Sequence, residues 1–528
     1  MNQPQNLLIV SDLHLSEGRH PITRRISRTE DFFFDEEFAS FLQYHLDVER
    51  WGRREWTLVI NGDCFDLLQV TSLPEEAAPF DRDRRYGLRI GPAETAWKIR
   101  LVMRGHDRFF QTLAEFAARF KIVVVLGNHD IELIHREAQQ AFIDELQRLV
   151  PHRLRSAISD RVSFHPWFFF DGVTYVEHGH QYDPHNCFRS PLRPFLPGQS
   201  SGAGGEDAEI DLPLGSLFVR YLFNLVEEEF PFADNIKPAT RFLRWFLRHH
   251  PMRAYGFLMT DGRQMLRRMK RNWKQASQGG DAAAPVEADG LLQEFLERLN
   301  RSLHPPFKLE ALRELDRLKA VSIMRRPPGF RWKLFRLLCG PFLLPAVVTV
   351  FLLLFLAGAA ILAIPLLQPA VPPAWLAQLA DSSAGFSPAA REAAEELRRF
   401  ILSLFLLQAA LLCGFFLKKP RTDASKNTLQ LRATASAIQR LTRARYVVMG
   451  HTHDPDLRQL DDDAIYFNTG SWTKVFSEEE RIIREEKEFL FLRILAEPSG
   501  RTRARLLKWE GGGEPTRLAN LFDYRRES

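Results

Sequence analysis

The sequence predicts a layered α/β sheet domain carrying a mainly helical insertion and an apolar two-span hairpin. Three observations carry this. Short apolar runs rich in β-branched residues alternate with helix-period stretches at the front of the chain. Blocks of Asp, Asn and His follow those runs. Two long uncharged segments lie beyond the middle.

Leu7–Val10, Thr57–Ile60 and Ile122–Leu126 are contiguous apolar runs of the kind that strands buried on both faces require. Helical stretches lie between and after them, around Asp31–Arg50, Ala93–Phe120 and Ile131–Val150, the last with Leu133, Ile134, Ala141 and Phe142 near helical spacing. Trp167–Phe170 and Val173–Val176 flank Asp171-Gly172, which marks a hairpin turn. Pro197–Asp211 and Gln275–Gly290 are rich in Gly, Ser, Ala and acids, and read as loops. Between them, Arg241–Lys274 carries ten Lys or Arg against one acid, Asp261, with aromatic residues interleaved. That stretch fits amphipathic helices with a solvated basic face, or a surface that meets anionic lipid or substrate.

Leu337–Leu367 holds no charged residue and exceeds the about 20 apolar residues that cross a bilayer. Phe400–Leu417 is a shorter second run. Arg325, Arg326, Arg331, Lys333 and Arg336 precede the first, and Lys418, Lys419 and Arg421 follow the second, which places both outer ends in the cytoplasm. The divisions expected are 1–190, the first part of the α/β domain; 191–330, a helical basic insertion or cap; 331–420, the hairpin; and 421–528, the second part of the α/β domain.

Composition bounds the classes. The 528 residues are too many for one ordinary domain, and 45% hydrophobic with 26% charged is a globular balance. Mean hydropathy of −0.23 excludes a chain made mostly of spans. A net charge of +5 does not by itself signal a nucleic-acid binder. Cys64, Cys187, Cys339 and Cys413 lack CxxC spacing, so neither a disulfide framework nor a thiolate zinc site is indicated. Met1–Asn6 lacks a signal-peptide pattern, and the amino terminus is expected to stay in the cytoplasm.

Five blocks carry the chemistry: Asp12-Leu13-His14, Gly62-Asp63-Cys64-Phe65-Asp66, Gly127-Asn128-His129-Asp130, His178-Gly179-His180 and Gly450-His451-Thr452-His453. Each follows an apolar run, so each sits at the carboxyl end of an expected strand, where open α/β sheets place their sites. Residues i and i+2 of an extended segment point to one side, so Asp12 with His14, and His451 with His453, can converge. Carboxylate, amide oxygen and imidazole together suit Mn²⁺, Fe²⁺ or Zn²⁺. His451 and His453 must reach the side of the membrane that holds Asp12 and Asp63, which favours zero or two spans. The long first run favours two.

The five blocks together resemble the calcineurin-like metallophosphoesterase superfamily, over roughly Asn6–Phe188 and Ala444–Glu497. The resemblance implies an α-β-β-α sandwich with two divalent metal ions, Mn²⁺ first among Mn²⁺, Fe²⁺ and Zn²⁺. It implies that Asp12, His14 and His453 bind one ion, that Asn128, His178 and His451 bind the other, and that Asp63 bridges them. His129 would contact the phosphate and help protonate the leaving oxygen, oriented by Asp130. Asp66 is expected to make a supporting hydrogen bond. His180 reads either as a substrate contact or as a surface residue, and Asn468–Ser471 as a turn beneath the site. The opening Ser11–Leu15 and the membrane link are similar to UDP-diacylglucosamine hydrolases, which carry Arg at the position of His129.

The function expected is a membrane-anchored phosphoesterase on the cytoplasmic face, acting on a phosphate ester or diphosphate, lipid-linked or surface-associated. Two alternatives stand beside it: a nuclease or cyclic-nucleotide phosphodiesterase, and a non-catalytic membrane scaffold. Nucleic acid is the less favoured partner, because an apolar hairpin is an odd accessory for a nuclease.

Overall fold

The computed structural model describes residues 5–189, 194–196, 209–227, 258–280, 307–320 and 423–517, apart from 21, 75–80, 474, 480–481, 487–488 and 512–513, together with 230, 246, 249–250, 252–253, 256 and 322. The chain divides into two units, Met1–Arg326 with Asp423–Ser528, and Pro327–Thr422. The second unit lies outside the described residues.

The strands in chain order are β1 (Asn6–Val10), β2 (Trp56–Asn61), β3 (Lys121–Val125), β4 (Val162–His165), β5 (Phe168–Phe170), β6 (Thr174–Glu177), β7 (Tyr446–Met449), β8 (Asp456–Asp461), β9 (Ala464–Asn468), β10 (Val475–Glu479), β11 (Ile482–Glu486), β12 (Leu490–Ala496), β13 (Thr502–Lys508) and β14 (Thr516–Arg517). Seven of them form a mixed sheet in the order β14-β13-β12-β1-β2-β3-β4, and five form a second in the order β5-β6-β7-β9-β8. In the first sheet β1 to β4 are parallel and β12 runs antiparallel to β1. In the second, β6, β7 and β9 are parallel, with antiparallel strands at both edges. The small β10–β11 ribbon stands apart.

The sheets pack face to face. Leu7, Ile9, Val59, Val123 and Val125 of the first meet Val176, Tyr446, Val448 and Phe467 of the second in one buried cluster. Period-two alternation sends the other side chains outward. Val447, Met449 and Tyr466 pack under Leu431, Ala435 and Ile438 of the helix Asp423–Thr442, and beside Leu312 and Leu315 of the helix Leu309–Arg317. On the first sheet's outer face, the helices Asp35–Leu46 and Asp107–Ala117 contribute an aromatic layer. Phe38 stacks on Phe109 with ring centroids 4.1 Å apart, and Phe41 leans on Phe491 of β12 at 4.8 Å. Such pairs add about 0.5–1.5 kcal/mol each beyond the area they bury.

The expected front strands and the Asp171-Gly172 turn are present, the turn held by Asp171 accepting the N–H groups of Val173 and Thr174 at 2.9 and 2.7 Å. The helical stretch expected around Ala93–Phe120 breaks into the helices Pro92–Gly105 and Asp107–Ala117, at Gly105. A Cβ there would lie 1.9 Å from the Glu17 carbonyl oxygen, a tertiary contact that local periodicity does not reveal. Residues 275–280 of the expected Gln275–Gly290 loop are helical, as the last part of the helix Arg263–Gly280, and residues 281–290 lie outside the described residues. In that helix Arg268 and Arg271 both pair with Glu209, so part of its charge is internally engaged.

The two-span hairpin is corrected. Among the described residues no helix is long and apolar enough to cross a membrane, and Leu337–Leu367 and Phe400–Leu417 lie outside those residues. The return of the chain needs no hairpin to explain it: β1 pairs with β12 and β6 with β7, so the sandwich itself brings the two chain segments together. The membrane partner, the placement on the cytoplasmic face of a membrane, the membrane-anchored function and the narrower likeness to hydrolases joined to a membrane all fall with the hairpin. What stands is an α/β sandwich of mixed sheets and helices, consistent with the metallophosphoesterase-type fold that the resemblance implies.

Candidate metal centre

Parallel pairing aligns the carboxyl ends of β1, β2 and β3 in one sheet, and of β6 and β7 in the other. The five Asp/His blocks leave from those ends and meet along one edge of the sandwich. The turns are tight enough to force unusual backbone: Asp12, His14, Asp63, His451 and His453 have φ of 53°, 52°, 50°, 69° and 59°. Non-glycine residues enter this region at a cost, and clusters of them mark strained sites. Two glycines make the approach possible. Gly62 has φ +76° and a Cβ there would lie 2.4 Å from the His178 ring, while one on Gly450 would lie 2.5 Å from Asp12 Oδ2.

Three overlapping groups result: Asp12 with His14 and His453, His14 with Asp63 and His129, and Asp63 with His178 and His451, each with its ligand atoms within 4.8 Å of one another. His453 Nε2 lies 3.3 Å from Asp12 Oδ1 and 3.1 Å from His14 Nε2. Asp63 Oδ2 lies 3.0 Å from His178 Nε2 and 3.9 Å from His14 Nε2.

Hydrogen bonding on the far side of each ring sets its tautomer. His178 Nδ1 donates to the Asn61 carbonyl at 2.9 Å, and His14 Nδ1 to Asp66 Oδ2 at 3.3 Å. Both Nε2 atoms therefore present lone pairs inward. Asn128 Oδ1 is buried without a hydrogen-bond partner, and the buried His178 Nε2 faces the Asp63 carboxylate. Lone pairs of imidazole, amide and carboxylate that converge out of water repel one another unless a cation lies among them. This cluster of Asp and His side chains could chelate a divalent metal ion, and the all-oxygen-and-nitrogen donor set fits one.

The charge balance agrees. Burial acts to raise the Asp12 and Asp63 carboxyls, but the neighbouring imidazoles, His178 foremost, hold both well below the usual range. The same carboxylates act on His178: burial pulls its ring down, yet Asp63 and Asp12 push it up to about 9, so its Nε2 faces a pull that either a proton or a cation would answer.

Behind these residues stands a supporting layer. Asp66 Oδ2 accepts from His129 Nδ1 at 2.7 Å as well as from His14. Although burial would raise the Asp66 carboxyl, His129 and His14 hold it at about 2, so it is ionised. Asp130, expected to orient His129, instead accepts the backbone N–H groups of Gly127 and Cys64 at 2.7 and 2.8 Å, tying two of the motif turns together. Burial and the Asp63 charge push it up to about 6. The His129 backbone N–H donates to Asp63 Oδ1 at 2.9 Å, and its ring stands edge-on to His14 with centroids 4.7 Å apart.

Two supporting residues were not anticipated. Asp183 Oδ2 lies 3.3 Å from His451 Nε2, and His185 and Asn186 bond to the same carboxylate, which holds it far below the ordinary range against its burial. Asn61, whose carbonyl orients His178, ends a strand and carries no motif signal. An acid five positions after a ligand histidine was the only available hint of Asp183. His180 is buried rather than superficial, its ring centroid 5.4 Å from that of His178, and Cys64 and Cys187 are buried, the Cys187 thiol donating to the Ala320 carbonyl at 3.4 Å.

No family model, no curated protein and no solved structure matches the chain. The mixed sheets and the metal-binding cluster are by themselves consistent with a calcineurin-like phosphoesterase core.

Proposed function

We propose that this chain is a metal-dependent phosphoesterase that hydrolyses a phosphate ester or diphosphate bond. The observation that carries the proposal is the convergence of inward lone pairs from His14, His178, Asn128 and the two ionised carboxylates Asp12 and Asp63 at one sheet edge. In this reading Asp12, His14 and His453 hold one ion, Asn128, His178 and His451 hold a second, and Asp63 lies between them. Mn²⁺ is the first choice, ahead of Fe²⁺ and Zn²⁺.

Bound ions in such a site supply an acidified water and positive charge toward the phosphoryl oxygens. The chain's own residues do the rest. Ionised Asp66 keeps a proton on His129 Nδ1 and fixes the ring, so Nε2 is the atom offered to a phosphoryl or leaving oxygen. Asn61 and Asp183 hold the His178 and His451 rings from behind. Within the insertion, the described segment 209–227 packs beside the loop that follows β2. Supporting this, Arg220 donates to the Gly87 and Leu88 carbonyls, and Asn224 to the Leu68 carbonyl two residues beyond Asp66.

The test is hydrolysis of a chromogenic phosphodiester and monoester by the purified chain with added Mn²⁺. Asp63→Ala should lower turnover by a factor of about 100 or more, given the several kcal/mol that metal charge contributes. Wild-type turnover in that variant would overturn the assignment.

A further inference from the structure

The centre joins two loops that are remote in sequence and strained on both sides of their junction. Asp12 and His14 follow β1, and His451 and His453 follow β7. A single turn after β9, Asn468–Trp472, touches both. Ser471 Oγ donates to the Asp12 carbonyl at 3.1 Å, and the Trp472 backbone N–H to the same oxygen at 3.2 Å. On the other side Asn468 Nδ2 donates to the Gly450 carbonyl at 2.9 Å and to Thr452 Oγ1 at 3.1 Å, the residues flanking His451.

The amide cannot reverse without loss, because Asn468 Oδ1 accepts the Gly470 N–H at 3.0 Å. Thr469 Oγ1 meets Ser11 Oγ at 2.7 Å, adding a third tie to the loop after β1. Ser11, Asn468, Thr469 and Ser471 are all buried. The geometry has a direct backbone consequence. The Gly450 carbonyl belongs to the peptide plane from which His451 turns to φ 69°, and the Asp12 carbonyl to the plane that leads on to Leu13 and His14. Holding those two oxygens holds the ligand residues in a region that they would otherwise leave.

We propose that Asn468 and Ser471 are positioning residues of the metal centre: they clamp the Asp12 and His451 loops against one turn and thereby set metal affinity. The inference rests on the metal-dependent reading above and is tested by metal binding as well as by turnover.

The full-length chain, stripped by chelation, is titrated calorimetrically with Mn²⁺ and assayed with a chromogenic phosphodiester. Ser471→Ala removes one donor. Asn468→Asp keeps the shape and loses the N–H that faces Gly450. Ser471→Thr retains the hydroxyl, and Tyr446→Phe is the control, since its hydroxyl donates to the Thr502 carbonyl at 2.9 Å, outside the clamp. The expected result is a cooperative melt in all four variants, with Mn²⁺ binding at least tenfold weaker in Ser471→Ala and Asn468→Asp. Turnover in those two recovers at excess Mn²⁺ with KM unchanged, while Ser471→Thr and Tyr446→Phe bind as wild type does.

Mn²⁺ affinity within twofold of wild type in both clamp variants overturns the proposal. So does equal weakening in Tyr446→Phe, and so does loss of the melt in both clamp variants, which leaves a purely structural turn. If wild type binds Mn²⁺ but hydrolyses no phosphoester, the phosphoesterase reading fails and the titrations still decide the clamp. Absence of Mn²⁺ binding in wild type overturns both.

Discussion

Replacing Asp66 by Asn separates the two carboxylates that stand near His129. In the native site one oxygen, Oδ2, accepts from His129 Nδ1 at 2.7 Å and from His14 Nδ1 at 3.3 Å. The other, Oδ1, is buried with no hydrogen-bond partner. An amide retains an acceptor but loses the charge, and its new N–H₂ group enters a position that offers it no acceptor. Bonds to charged groups contribute about 1.5–3 kcal/mol against about 1 kcal/mol for neutral ones, so the His129 contact weakens by about 1–2 kcal/mol. That converts to a fall in kcat of about 5- to 30-fold. The more distant His14 contact suffers less, so metal content should hold. The assay is kcat, KM and the pH–rate profile at saturating Mn²⁺, with metal content measured in parallel. Asp130→Asn is the comparison: it disturbs two backbone hydrogen bonds at 2.7 and 2.8 Å, and should lower the melting temperature while leaving the shape of the pH profile intact. Wild-type kcat and pH profile in Asp66→Asn, with an altered profile in Asp130→Asn, would refute the reasoning and return His129 to Asp130.

Other outcomes follow from the same geometry. Gly450→Ala brings a Cβ to 2.5 Å from Asp12 Oδ2 and should weaken Mn²⁺ binding tenfold or more in a calorimetric titration, whereas Gly500→Ala, in open space at φ +78°, should cost only about 1–2 kcal/mol of stability. Chelation should lower the melting temperature, and Mn²⁺ at about 100 times its Kd should restore about 2.7 kcal/mol; a melt indifferent to Mn²⁺ would argue against a native metal site. His106 lies between Glu30 and Asp35 at 3.1 and 3.0 Å; burial pulls its ring down, but Glu30 and Asp35 push it up to about 10. Its folded value thus lies above the unfolded one, so its stabilisation is complete below pH 6.5 and is lost as pH rises through about 10. Urea unfolding across that window should show the decline in wild type and a flatter curve in His106→Asn.

The parts of the fold that could be read from the chain are those where local pattern and tertiary role coincide. The runs before Asp12, Asp63 and His129 are buried on both faces, so they stay apolar without interruption and betray themselves. The ligand blocks are legible because strand ends concentrate them. The break at Gly105 is decided by the Glu17 carbonyl, far away in sequence. Asp130 adjoins His129 in the chain and looks like its partner, but the turn after β3 sends its carboxylate to the Cys64 and Gly127 amides, and the partner is Asp66 from the turn after β2. Asn61 contributes through its carbonyl, and a backbone role leaves no trace in residue identity. Apolar length alone suggested spans; pairing of strands across the whole chain shows why that length was not needed to close the site.

The central place of β1 has a consequence for how the molecule comes into being. Its neighbours are β2 and β12, and contacts such as that between His14 and His453 close a separation of 439 residues. Emerging from the ribosome, the first strand waits with one edge uncovered until nearly the whole chain has been made. Until then the donors from β1 and β7 have no common centre. Any product truncated before Gly450 lacks His451 and His453 of the cluster, however well its first half folds. The late strands act as a seal, since only a chain extended through β7 and the turn after it can gather Asp12, His14, His451 and His453 in one place.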